Sequence, residues 1–339
     1  MAENNTIAVH NKNEAMKNFL MRNMVVVILI ALIAGFGIGT SGKFFNMANI
    51  VNLTTQMAIN AMLSAGLTYV IILGGIDISV GSVAALAGVI STKISLMFPN
   101  MTSWGSIPVL IIPAILVGVL CGSFTGIMIS RFNVVAMIAT LAMLTAARGL
   151  CFIFSGGTAI SGIPKAYSFI GAGRWLVTEG KATGWIPNIT VFVIIMVLIM
   201  HILLSKTVFG RHVYATGSNR QVAHLAGINT KNVIFWGHVL CSVAAALAGV
   251  LNASKLASGQ PAACDGYEMY AIAATVLGGT SLTGGSGSVG RAMFGVAVIA
   301  VINNGMNLMH VNSYWQKVVI GAIILFAVIL DMAQKKTKN

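Results

Sequence analysis

Long apolar stretches, separated by short polar segments, dominate this chain of 339 residues. A membrane-spanning helix needs about 20 predominantly apolar residues, and the chain holds about ten stretches of that kind. The predicted spans are residues 24–41, 51–73, 80–97, 107–129, 134–154, 187–204, 233–254, 270–286, 291–309 and 314–331. This pattern predicts an all-α integral membrane protein with about ten transmembrane helices.

The composition agrees with the pattern and limits the domain organisation. Apolar residues make up 57% of the chain and charged residues only 8%, with a mean hydropathy of +0.89. Ordinary soluble domains carry roughly 25% charged residues. We therefore expect one transmembrane domain at 24–331, flanked by polar tails at 1–23 and 332–339.

The basic residues predict how the chain is oriented. Lys and Arg precede the first span and Lys follows the last one, which places both termini in the cytoplasm by the positive-inside rule. Ten crossings then put the segment 205–232 inside, where it carries basic residues and no acid, and the segment 155–185 outside. The net charge of +13 is explained by this bias, so we do not expect nucleic-acid binding.

Two glycine-rich segments interrupt the apolar sequence in a similar way. Residues 73–82 read LGGIDISVGS and residues 277–286 read LGGTSLTGGS, with five of ten positions identical. Membrane helices break at such segments, where backbone groups must be satisfied by protein or cavity water. We predict broken or re-entrant helices here, and 270–286 is the candidate for re-entry. The predicted hinge residues are Gly74, Gly75, Asp77, Gly278 and Gly279.

Asp77 has two interpretations. An acid at membrane depth is costly and is a functional candidate. If Gly74 and Gly75 end the second span at the cytoplasmic surface, Asp77 instead caps the next helix. We favour the capping role.

Polar side chains form two stripes within the predicted spans. In the second span they recur at every fourth residue, which winds by about 40° per step around a helix. Amides and hydroxyls suit a hydroxyl-rich neutral solute, but hydrogen bonding between helices explains the stripes equally well. The candidate pathway residues are Gln56, Asn60, Ser64, Thr68, Asn303 and Asn307, in stripes that also contain Asn52 and Asn304.

The chain lacks the motifs of an enzyme. It has no G-x-x-x-x-G-K-[ST] phosphate loop, and the G-x-G-x-x-G match at 285–290 follows no soluble strand. Its six His residues lack metal-ligand spacing, and its four Cys residues read as small core hydrophobes. Asp265 and Glu268 are close in sequence, but in a predicted external turn. We expect no catalytic site and no cofactor; an ion-coupled secondary transporter of a small polar solute stays open as an alternative, as does a membrane scaffold.

The segment 205–232 is the longest predicted cytoplasmic loop. Its stretch 220–227 predicts a short helix that ends at Gly227. Such a helix can dock a partner protein or lie against the membrane interface.

Several blocks of sequence together are similar to one family. They are residues 74–82, 209–219, 226–229, 267–285 and 315–316. On these blocks the chain, from about residue 46 to 331, resembles the permease subunits of bacterial ABC importers for ribose and related monosaccharides.

The resemblance implies partners and roles. It implies two permease protomers in the bacterial inner membrane, two cytoplasmic ATP-binding cassette subunits and a periplasmic sugar-binding protein. It also implies a coupling helix that contacts the ATPase through Arg220, Gln221, Ala223, Leu225 and Gly227. Family members often have Glu-Ala-Ala where this chain has Gln221-Val222-Ala223, so the acidic contact is missing here.

Overall fold

The computed structural model describes residues 24–175 and 186–336. The predicted tail at 1–23, part of the predicted external segment at 176–185, and the last residues, 337–339, lie outside the described residues.

Helices account for nearly all of the regular structure, as the apolar pattern predicts. They are α1 (Met24–Gly39), α2 (Met47–Ile72), α3 (Val80–Ser95), α4 (Ser106–Ser130), α5 (Ala136–Ser155), α6 (Phe169–Ala172), α7 (Asn188–Lys206), α8 (Val208–Ser218), α9 (Arg220–Leu225), α10 (Thr230–Leu256), α11 (Tyr267–Leu277), α12 (Val289–Leu308) and α13 (Ser313–Lys336). Short 3₁₀ turns lie at Lys43–Phe45 and Lys165–Ser168. Two short strands, β1 (Arg174–Trp175) and β2 (Ile186–Pro187), pair antiparallel.

Among the described residues, six helices are long and apolar enough to cross a membrane: α2, α4, α5, α7, α10 and α12. The apolar helices α1 and α3 and the 314–325 part of α13 are shorter. The eighth predicted span, 270–286, is helical only as far as Leu277. The structure therefore confirms an all-α membrane architecture.

Helices α2 and α10 form the centre of the bundle. Their apolar windows are each 78% buried, against 28% for α5 and α7, which expose apolar faces instead. Gly118, on α4, faces the backbone of α10, where a Cβ atom would lie 2.6 Å from Val243 Cα. Gly122 and Gly126 repeat this approach one and two turns later. This glycine stripe therefore packs the two helices together, because only a missing side chain lets the backbones come so close.

Candidate functional site

The glycine pairs end two helices in the same manner. Gly74 has φ +81°, and its N–H donates to Ile71 O at 2.9 Å. Gly279 has φ +85°, and its N–H donates to Val276 O at 2.8 Å. Both are left-handed glycine caps, a conformation that glycine adopts without steric cost. The caps are offset by one residue relative to the sequence repeat, in which Gly74 matches Gly278.

The chain after each cap runs without helix before the next helix begins. Five residues, Gly75 to Ser79, lead into α3, and the segment 280–288 leads into α12. Thr140, in α5, binds this first segment, since its hydroxyl donates to Ile76 O at 3.3 Å and lies 3.4 Å from the amide of Ile78. Side chains of neighbouring helices thus satisfy backbone groups that the break frees.

The two breaks meet each other in space. The amide of Gly285 donates to Ile72 O, the end of α2, at 2.8 Å. Gly284 lies so close that a Cβ atom there would stand 2.9 Å from Ile72 O and 3.2 Å from Gly74 N. The end of α2 and the non-helical segment that follows α11 therefore form one contact.

Helix α8 packs against the same contact. A Cβ atom at Gly284 would stand 2.7 Å from Gly217 O, and one at Gly217 would collide with Ile72 O. The Tyr214 hydroxyl donates to Gly287 O at 2.8 Å. Burial raises the pKa of Tyr214, so the phenol remains protonated and keeps its donor. We call this three-way junction of 72–74, 214–218 and 284–287 the glycine junction.

Helix α9 follows α8 after a single residue. Asn219 caps it, accepting from the amides of Gln221 and Val222 at 3.0 Å each. The helix ends before Gly227, which has φ +83°. This short helix is the one predicted for 220–227.

The exposure of α9 is uneven. Ala223 is buried and anchors the helix to the protein. Arg220 and Gln221 are exposed, and Leu225 is 86% exposed. Val222 is exposed too, so this short helix presents two large apolar side chains at its surface.

A cavity of about 230 Å³ lies beside the glycine junction. Its lining joins the break after α2 to the start of α9 and to α10, through Gly74, Gly75, Thr216, Arg220 and His238.

Asp77 is fully buried and does not occupy the N-cap of α3. Its Oδ1 atom accepts from the amide of Ser79 at 2.9 Å and from the Ser79 hydroxyl at 2.6 Å, forming a turn before the helix. Ser79 is the N-cap residue. The Oδ2 atom lies 3.9 Å from His238 Nδ1, too far for a hydrogen bond. Asp77 thus shapes the break and faces a second buried titratable group.

The polar stripe of α2 divides into two halves. Ser64 and Thr68 are fully buried, where the Ser64 hydroxyl donates to Ala271 O at 3.2 Å and the Thr68 hydroxyl donates to Ser64 O at 2.7 Å. Gln56 and Asn60 are only partly buried. Ser64 thus binds α11, whereas Gln56 and Asn60 keep part of their surface exposed.

The asparagines of α12 are also not equivalent. Asn304 and Asn49 exchange two amide hydrogen bonds of 2.9 Å between α12 and α2. The exposed Asn307 accepts from Gln316 at 2.7 Å. Asn303 is partly buried, and its Oδ1 atom has no hydrogen-bond partner among the described residues. The buried Asn60 Oδ1 atom has none there either.

These surroundings give Asn60 and Ser64 different expected phenotypes. Replacing Asn60 with Leu removes an unpaired polar group, so we expect solute uptake to fall severalfold with an unchanged amount of folded protein. The matched change Ser64→Ala removes a hydrogen bond and should lower the free energy of unfolding by about 1 kcal/mol. Uptake and thermal denaturation of both variants check this. Loss of folded protein in Asn60→Leu would assign Asn60 to packing.

Sequence reasoning missed a charged group inside a span. Arg148 is the thirteenth of twenty residues in α5, and it donates from Nη1 to Pro261 O at 2.7 Å and to Ala263 O at 2.9 Å. Asp265, in a turn as predicted, and Glu268, in the first turn of α11, stand next to it. The signal was present in the sequence, because a charged residue in an apolar run is unusual.

The sequence of the chain matches known proteins over most of its length. Residues 49–328 match the family model described as branched-chain amino acid transport system / permease component. The chain is 34% identical to the ribose import permease protein of Escherichia coli strain K12, covering 96% of the chain and 98% of that protein. It is 39% identical to the ribose import permease protein of Bacillus subtilis strain 168, covering 91% and 89%.

A further relative is named for xylose. The chain is 31% identical to the xylose transport system permease protein of Escherichia coli strain K12, with 92% of each chain covered. No solved structure is significantly similar to the chain. With a family match over most of its length and relatives above 30% identity end to end, the chain belongs to this family of ABC transport permeases.

Proposed function

We propose that this chain is the permease subunit of an ATP-driven importer and forms the passage for a ribose-like monosaccharide. Family membership supports the transport role, and relatives named for ribose and xylose support a sugar as the solute. The names of these relatives give no support to the ion-coupled alternative.

The observation that carries the mechanism is the glycine junction. Helix α9 presents an exposed Leu225. Helix α8, which precedes it, contacts through Gly217 both the end of α2, at Ile72, and the segment after α11, at Gly285. A partner that moves α9 therefore moves both breaks together. Packed contacts of this kind transmit a shift between two states of the protein.

The roles of the named residues follow from this scheme. Arg220, Gln221, Leu225 and Gly227 are the exposed residues of the coupling element that docks on the ATPase, and the buried Ala223 holds this element to the chain. The hinges are Gly74, Gly75, Asp77, Gly278 and Gly279. Among the pathway candidates, Gln56, Asn60 and Asn303 have the surroundings that suit solute contact, whereas Ser64, Thr68 and Asn307 already have hydrogen-bond partners in the protein.

The proposed assembly contains two copies of the chain, two ATP-binding cassette subunits and a periplasmic binding protein, in a bacterial inner membrane. Ten crossings with both termini in the cytoplasm fit the helices. In this scheme α3 and α11 measure only about 24 Å and 16 Å at 1.5 Å per residue, less than the roughly 30 Å hydrocarbon core. Their non-helical extensions complete the crossing.

Co-purification with a cassette subunit and a binding protein from the same genome tests the proposal. We expect a stable permease–cassette complex whose ATP hydrolysis is stimulated by the binding protein loaded with ribose. A permease that binds no cassette subunit, or a complex that hydrolyses ATP but moves no sugar, would refute it.

A further inference from the structure

Three charged side chains cluster where the segment between α10 and α11 meets α5. Arg148 is 19% exposed and holds the carbonyl groups of Pro261 and Ala263, while its Nη2 atom lies 4.0 Å from Asp265 Oδ1. Asp265 is 86% exposed. The carboxylate of Glu268, one turn further on, packs against Gly81 of α3, where a Cβ atom would collide with it.

Contacts with the long helices place this cluster well inside the bundle. Ser64 donates to Ala271 O, three residues beyond Glu268. Ser64 itself lies about 26 Å from the start of α2 and about 12 Å from its end, by the rise of an α-helix. Gly249, in the interior of α10, contacts Ala84, one turn beyond Gly81. The cluster is therefore at membrane depth and not at the outer surface.

A carboxylate at this depth cannot face lipid. Charged side chains in the hydrocarbon region cost several kcal/mol and face a bundle interior or a water-filled cavity. Asp265 is nevertheless open to its surroundings in the single chain. Its side chain thus requires water, and a second copy of the chain supplies the opposite wall in the proposed assembly.

The chemistry of the cluster fits a neutral sugar. Carboxylates accept hydrogen bonds from hydroxyl groups, and the guanidinium group has donors beyond those used for Pro261 and Ala263. Tyr267 and Tyr270 stand beside it with ring centroids 6.0 Å apart and planes at 82°. Aromatic surfaces with a few polar groups are typical of small-molecule sites. Two carboxylates stand beside one guanidinium, so the cluster disfavours an anion and offers both acceptors and donors to the hydroxyl groups of a neutral sugar.

We propose that Arg148, Asp265 and Glu268 form a contact site for the transported monosaccharide in a hydrated passage at membrane depth. This inference rests on the proposed import function and adds the residues that meet the solute. Tyr267 and Tyr270 form its apolar side.

Cysteine labelling tests whether water reaches the site. In membranes that contain the assembled importer, Asp265→Cys should react with a membrane-impermeant methanethiosulfonate at least about tenfold faster than Leu120→Cys, since thiolates form in water and not in lipid. Leu120 is 70% exposed on α4 and serves as the lipid-facing control. D-ribose, but not L-alanine, should slow the labelling of the Asp265→Cys variant. Equal rates for the two variants, or no effect of ribose, would overturn the site.

Conservative variants test sugar contact directly. In the reconstituted importer, Glu268→Gln and Asp265→Asn should lower ribose uptake at saturating loaded binding protein by about tenfold, the cost of losing one hydrogen bond to a charged group. ATP hydrolysis should remain stimulated. Variants with unchanged uptake and an unchanged ribose-to-xylose ratio would reject the site. Failure of the unsubstituted importer to move ribose with ATP would instead reject the import function.

Discussion

Replacing Gly284 with Ala should reduce sugar uptake to background while the protein remains in the membrane. The added Cβ atom would stand 2.7 Å from Gly217 O and 2.9 Å from Ile72 O, at a residue with φ +87°. The left-handed conformation alone costs a non-glycine residue about 1–2 kcal/mol, and the contact must open further to admit a methyl group. We expect α8 to lose its packing against the end of α2 and against the segment 284–287. ATP-driven uptake per folded molecule measures the effect.

Gly35→Ala is the matched control. Gly35 lies in α1, and a Cβ atom there meets nothing within 4 Å, so uptake should be unchanged. Size-exclusion chromatography of both variants gives the amount of folded protein. Normal uptake by folded Gly284→Ala would show that the glycine junction does not couple the two breaks.

Replacing Leu225 with Asp should abolish uptake by separating the permease from its ATPase. Leu225 is 86% exposed, so the change removes few contacts within the chain and should leave its thermal stability within about 0.5 kcal/mol, as is usual for surface substitutions. A hot-spot side chain at the centre of a contact contributes about 2 kcal/mol or more, and losing that amount lowers affinity about 30-fold. Affinity for the cassette subunit and ATP-driven uptake are the two measurements.

Val208→Asp provides the comparison for this variant. Val208 is an exposed apolar residue at the start of α8, away from α9. We expect this variant to bind the cassette subunit with normal affinity. A folded Leu225→Asp protein that still binds and transports would remove α9 from the docking surface.

The helices and their glycine ends could be predicted because their causes are local. Apolar length determines which segments suit a membrane, and the left-handed conformation at Gly74 and Gly279 is available to glycine at little cost. The one-residue offset between the two caps was not predictable from the repeat. It depends on how each helix end packs and not on the ten letters alone.

The contacts between distant segments could not be predicted. The amide of Gly285 meets Ile72 O, and Arg148 meets the carbonyl of Pro261, through packing that joins parts of the chain more than 100 residues apart. A polar stripe likewise reveals a helix face and not its neighbour, which is why Ser64 could not be distinguished from Asn60 before the position of α11 was known. The interior charge of Arg148 was the one local clue to the cluster.

Sugar uptake into vesicles tests the central claim most directly. The chain, its cassette subunit and a sugar-loaded binding protein are reconstituted together, and labelled ribose is followed with and without ATP, and with an imposed proton gradient. The account predicts that uptake requires ATP and both partners and does not depend on the proton gradient. Uptake by the chain alone that follows the proton gradient without ATP would contradict it.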